Sequence, residues 1–258
     1  MIPGNVCLGL RRFAAALLIL AAAPLFSRTL PELDVVLVNV EARLAAGFAY
    51  KNWTASSTST NTEFDRHGAI VKVTVVNKTV RVTDGDRDED ILKAIETADG
   101  KTTDVTRETA EKARRQWAKE REKRAAGSRR SGVLDLDEIL PFAAKQRPLY
   151  NFKLRPADGK GGRKLAVLEA SAKEKDSKLW NGTYTIDPVS FDVIRAEVRP
   201  SDNPTFVREL RAEADIALLD GKNLFIVHTK MKVDGGFLFI KNVRMLVEDV
   251  YTDVKILN

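Results

Sequence analysis

LWNGTYTIDPVSFDVIRAEVRP, residues 179–200, alternates apolar and polar side chains, turns at Asp187-Pro188, and alternates again. Period-two alternation on both sides of a turn marks a β-hairpin with one buried face. Trp180, Tyr184 and Ile186 share a face on the way in, and Ile194, Ala196 and Val198 share one on the way out. Phe191 and Val193 have the opposite parity, which a β-bulge near Val193 and Ile194 reconciles. Nothing in the stretch is arranged for chemistry, so its apolar face is expected to be a wall.

The pattern extends in both directions. Residues 149–172 read as a strand, a glycine-rich loop and a strand. Beyond residue 206 come three more strands, with LDGKN (219–223) and VDGG (233–236) as their turns. Leu210, Ala212, Ala214, Ile216 and Leu218 share one face, and Arg211, Glu213 and Asp215 the other, so one face of the sheet is wet. No crossover helix fits between these strands, which makes the sheet antiparallel. In the last strand Val243, Met245 and Val247 share a parity that Val250, Val254 and Ile256 do not. A second bulge follows, and repeated bulges predict a strongly curved sheet, a barrel or half-barrel.

Upstream, Leu33, Val36, Leu37, Val40 and Leu44 stand three and four apart and predict a short amphipathic helix over 33–46. Residues 50–82 predict a long hairpin whose first arm, rich in Ser and Thr, is polar on both faces and is placed near an edge or open rim. Residues 84–99 read as an acidic turn running into a short helix. The charged segment at about 102–131 predicts a surface helix with almost no apolar face beyond Ala113, Trp117 and Ala118. Leu136, Ile139 and Leu140 mark another short helix, over 134–142, stopped or kinked by Pro141.

The chain begins with Arg11 and Arg12 followed by an apolar run from Phe13 to Phe26. That is the pattern of a cleavable signal peptide, placed at 1–27, with one domain over 28–258. Cys7, the only cysteine, lies within the leader, so no disulfide holds the exported domain together. With 42 Lys and Arg against 36 Asp and Glu, the chain is mildly basic, net +6. Charges of both signs read first as a solvated surface.

Chemistry is hard to place on these residues. Of two histidines, His67 falls in a turn and His228 on the polar side of a strand, without a nucleophile, base and orienting group in sequence reach. The acidic run Asp84, Asp86, Asp88 and Asp90 fails as a calcium loop, with Glu89 at the sixth position and Ile95 at the twelfth. Zinc spacing, phosphate-loop spacing and a nucleophile elbow are all missing from the sequence. No catalytic residue, metal site or cofactor is assigned, and the chain is read as a non-enzyme. The basic face of the charged helix offers Arg114, Arg115, Trp117, Lys119 and Arg121 as candidates for docking to an anionic membrane or acidic partner. Nucleic acid is not an expected partner, and a monomer is expected.

From about Leu33 to Leu257 the chain resembles the LolA-like outer-membrane lipoprotein-sorting family. Three stretches carry the resemblance: FDRHGAIVKVTVVNKTVRVTDG (64–85), LDEILPFAAKQRPLYNFKL (136–154) and the hairpin at 179–200, whose Ile-Asp turn leads into Ile-x-Arg. The resemblance implies an α+β fold: an incomplete antiparallel β-barrel closed by short helices. Its apolar cavity would shelter the acyl chains of a lipoprotein, or lipid, between inner and outer membranes in the periplasm. Segment 102–131 then reads as an insertion. Leu136, Ile139, Leu140, Phe142 and Phe191 become candidate cavity or lid residues, with Met231, Phe237, Phe239 and Met245. A cavity answers a physical need, because each methylene of an exposed acyl chain costs about 0.8 kcal/mol in water. The alternative is an envelope sensor or interaction module of the same fold that works through its charged helix.

Overall fold

The computed structural model describes residues 30–48, 52–84, 86–125, 140–237 and 241–257. The first helix, α1 (Leu33–Gly47), precedes four strands, β1 (Trp53–Phe64), β2 (Ile70–Thr83), β3 (Asp86–Ala98) and β4 (Lys101–Asp104). A second helix, α2 (Thr106–Ala125), follows them. Seven strands complete the chain: β5 (Tyr150–Asp158), β6 (Lys164–Ala172), β7 (Trp180–Ile186), β8 (Val193–Pro200), β9 (Val207–Leu219), β10 (Asn223–Phe237) and β11 (Lys241–Ile256). All eleven form one antiparallel sheet in the order β4-β3-β2-β1-β11-β10-β9-β8-β7-β6-β5. The sheet is open, with β4 and β5 as its edges.

The hairpin of residues 179–200 is β7 and β8, and the register slips between Thr185 and Ile186, opposite Val193 and Arg195, leaving Ile194 as the extra residue of a bulge. Its turn is built by Asp187, whose carboxylate accepts the Val189 N–H at 2.8 Å and an Arg163 Nη2 at 2.5 Å. Arg43 of α1 reaches the same turn, bonding Asp192 at 2.5 Å. The buried face meets α1 directly: Val36, Leu37, Val40 and Leu44 pack with Phe142, Leu168, Tyr184, Ile186 and Ala196 in one core. Helix α1 stops at Gly47, where an added Cβ would lie 2.8 Å from Leu224 of β10, so only glycine lets the helix end come that close.

Arg147 fastens the 140–149 segment to this core. Its Nε donates to the Phe142 carbonyl at 2.7 Å and its Nη2 to the Leu37 carbonyl at 3.1 Å, and it pairs with Glu41. Glu41 in turn accepts the Ala144 N–H at 2.9 Å. Arg147→Met should destabilise the protein by about 2 kcal/mol in chemical denaturation, because a half-buried charged donor with three partners is lost. An unchanged midpoint would mean that this clamp is redundant.

Three expectations are corrected. Residues 86–98 form strand β3 rather than a turn and helix. The helix formers there are overridden by twelve residues of pairing with valine-rich β2, and a bulge that skips Leu92 keeps both ends of β3 in phase. Strand β1 is fourth in the order, between β2 and β11, not at an edge. VDGG is no turn: Gly235 and Gly236 lie inside β10, where a Cβ on Gly235 would meet the Phe206 carbonyl at 2.8 Å. Of the helix expected over 134–142 and stopped or kinked by Pro141, only Leu140 to Phe142 are described, and the chain turns there at Pro141 and Phe142. The signal-peptide region and residues 126–139 lie outside the described residues. Among the described residues no helix is long and apolar enough to cross a membrane.

Candidate functional site

Directly paired residues of neighbouring strands share a face of the sheet. One such row runs Ala196, Ala214, Thr229, Asp249, Ser59, Val76 and Ala94 across seven strands. Ala196 at one end lies in the core beneath α1. Ala94 at the other is fully buried, and its N–H donates to Thr106 Oγ1 at the start of α2, at 2.9 Å. Arg87, on this face through its pairing with Val82, lies 5.7 Å from the Trp117 ring centroid of α2, so both helices cover the same face, one over each half.

Between them the floor is apolar. Two further rows, Leu210–Val233–Met245 and Ala212–Met231–Val247, lie side by side on β9, β10 and β11. All six side chains are half-buried. Beside them stand three polar atoms, Ser57 Oγ, Asn61 Oδ1 and Asp249 Oδ1, that are buried without a hydrogen-bond partner. A buried acceptor normally finds a donor, so this part of the floor suits a group that brings one.

Ladder pairing parts where this floor ends. β10 pairs with β11 only from His228 to Phe237, and β11 runs on from Tyr251 to Ile256 beside β1 alone. Bulges flank the parting, at Val227 and at Asp253, whose φ is 52°. Trp53, Phe225 and Tyr251 fill the gap edge to face, with ring centroids 5.0 to 6.3 Å apart.

The candidate cavity residues separate into groups. Phe142 is 1% exposed, its ring 4.7 Å from that of Tyr184, and Leu140 and Phe191 pack against the same core. Met231 and Met245 lie on the open floor. Leu136, Ile139 and Phe239 lie outside the described residues, as does the side chain of Phe237. On α2, Arg114, Arg115, Lys119 and Arg121 are exposed, whereas Trp117 is half-buried with Arg87 of β3 5.7 Å from its ring centroid. Arg115 lies within 3.9 Å of Glu111; Arg114, Lys119 and Arg121 have no ion pair among the described residues.

On the helix-free face the sequence reading missed a charged cluster. His228 Nδ1 lies 2.8 Å from Asp215 and its Nε2 2.8 Å from Glu248, while Arg195 holds both Asp215 and Glu213. Cross-strand pairing brings these residues together over a span that period-two reading cannot see. The Asp215 hydrogen bond, with Glu248 on the other side, raises the His228 pKa above its ordinary 6.5. Its contribution to stability is fully present below the unfolded value and lost as pH rises through the higher folded one. The melting temperature should therefore fall as pH rises above the ordinary 6.5 through the higher folded value, and His228→Gln should remove that component. A His228→Gln protein with the wild-type pH profile would contradict it. Among the described residues no group of three His, Cys, Asp or Glu is arranged to hold a metal ion.

No protein-family model matches the chain, and no curated protein matches it. Solved structures do. The structure is similar to LolA-superfamily proteins. One from Nitrosomonas europaea aligns at a TM-score of 0.38 and 12% identity, over 86% of this chain and 94% of that one. A Vibrio parahaemolyticus domain described as an outer membrane lipoprotein-sorting protein aligns at 0.39 and 9%, over 85% and 91%. MucB, solved in complex with MucA from Pseudomonas aeruginosa, aligns at 0.26 and 8%, over 87% and 99%. At such identities no residue role passes from those proteins to this chain.

Proposed function

We propose that this chain is an exported, non-enzymatic binder or carrier of acyl chains, of a lipoprotein or of free lipid, working in the periplasm. The observation that carries this reading is the half-buried apolar floor of Leu210, Ala212, Met231, Val233, Met245 and Val247 between α1 and α2. The bulges and the parting of β10 from β11 favour coiling of the sheet around that floor, toward the expected half-barrel. Methionine suits a surface that must accommodate chains of varied shape. The orphaned acceptors at Asn61 and Asp249 suit an amide or hydroxyl donor next to the acyl chain.

Mass spectrometry of material extracted from the gently purified native protein should find acyl-chain cargo. Met231→Asp, which places a charge on the floor, should reduce that cargo on the order of ten-fold or more. A lipid-free native protein, or unchanged cargo in the Met231→Asp protein, would sink the reading.

A second reading rests on the exposed cations of α2, of which Arg114, Lys119 and Arg121 have no ion pair among the described residues: an interaction module that engages an acidic partner or membrane. Replacing Arg114, Arg115, Lys119 and Arg121 by glutamine would then abolish association while leaving lipid content unchanged. Loss of lipid with association intact supports the carrier.

A further inference from the structure

The helix-free face carries a depression of ≈ 450 Å³ near one end of the sheet, walled by Phe64, Gly68 and Leu246 and lined by charge. Four cations, Arg211, Lys230, Lys232 and Arg244, face only two carboxylates, Glu209 and Glu213. The carboxylates in reach are already engaged. Glu209 holds Lys232 at 2.8 Å, Glu213 is taken by Arg195 at 2.6 Å, and Glu248, across from Lys230 on β11, is taken by His228. Arg244 shares Asp234 with Arg208. Arg211 and Lys230 are left with no ion pair among the described residues. Arg211 also stands directly opposite Lys232, a like-charge pair that weakens a sheet, whereas Lys230 stands opposite Glu213 on one side and Glu248 on the other.

The same end of the sheet exposes large apolar side chains. Ile70, paired with Phe64, is 62% exposed, and Phe206 is 54% exposed. Phe206 is held there by its carbonyl, which accepts the Gly236 N–H at 2.9 Å. An isolated anion site has no use for apolar groups around its mouth. Cations set beside exposed apolar side chains match the headgroup layer of an anionic membrane, where phosphates meet the first methylenes.

We propose that this end of the sheet docks on an anionic lipid surface, with the depression seating lipid phosphates on Arg211 and Lys230. It does not depend on the acyl-chain reading, because neither cation lies on the helix-bearing floor. The test is co-sedimentation of the full chain with phosphatidylcholine vesicles, with and without phosphatidylglycerol. Binding should require phosphatidylglycerol and weaken with salt. Each cation at such a surface is worth about five-fold in partition, so Arg211→Gln with Lys230→Gln should bind roughly thirty-fold more weakly. The charge-keeping pair Arg211→Lys with Lys230→Arg should bind as the parent does, and Ile70→Ser with Phe206→Ser should weaken binding without changing its salt dependence. Equal binding to neutral vesicles would overturn the proposal, as would full binding by the double glutamine variant. So would loss of binding in the α2 glutamine variant alone. Displacement by inorganic phosphate would make the depression a small-anion site instead.

Discussion

Phe142→Ala should lower the unfolding free energy by about 3–5 kcal/mol, seen as a fall in the urea midpoint at unchanged m-value. The side chain is 1% exposed and meets the ring of Tyr184, itself fully buried, edge-on at 4.7 Å. The void left by alanine would sit between α1 and β7, where the backbone is held by Arg147 at the Phe142 carbonyl and cannot collapse freely. Phe142→Leu, which keeps most of the volume, should cost clearly less. The experiment also separates two roles for this residue. A core residue changes stability and leaves cargo affinity intact well below the melting point, whereas a lid residue would change affinity at constant stability. A variant with wild-type stability would show that the 140–149 segment does not belong to the core.

Gly182→Ala is the second large expectation, about 1–3 kcal/mol of destabilisation from a single methyl group. A Cβ on Gly182 would lie 2.5 Å from Tyr184 Oη and 2.6 Å from its ring, because the Tyr184 side chain folds back over the glycine two residues earlier on the same face. The ring has nowhere to go, with Phe142 against it and α1 in the same cluster. Burial also pushes the Tyr184 phenol above its ordinary ionisation range, so ring displacement toward solvent should appear as a lowered phenol pKa alongside the lost stability. A Gly182→Ala protein as stable as the parent, with its phenol still suppressed, would mean that the strand shifts and the ring stays.

The elements that the sequence made legible are those whose partners lie nearby or whose period is unbroken. The three-and-four spacing of α1, the β1–β2 hairpin, the β7–β8 hairpin with its bulge at Ile194, and the two faces of β9 all follow from local pattern. Strand β3 did not follow, because ILKAIETA favours a helix in isolation and only the valine ladder of β2 makes a strand of it. Nor did the placing of β1, since its second neighbour, β11, joins it from nearly two hundred residues away. A third of the floor was legible as a site: Met231 and Met245 were singled out by sequence, but Leu210, Ala212, Val233 and Val247 become their neighbours only through the register that aligns three strands. The His228 cluster and the cationic depression were hidden for the same reason, being assembled across strands from residues that read singly as solvated charge.

An eleven-stranded open sheet has two edges, and each is built to refuse another strand. Strand β4 is four residues long, exposed throughout, and begins with Lys101 and ends with Asp104. Strand β5 carries Lys153 and Arg155 and then Pro156 in mid-strand, where a residue without an N–H is tolerated only at a sheet boundary. Short length, charge and proline are the devices that keep sheet edges from adding to one another. A chain whose outermost strands turn away newcomers can expose a wide β-surface at high local concentration without polymerising through it.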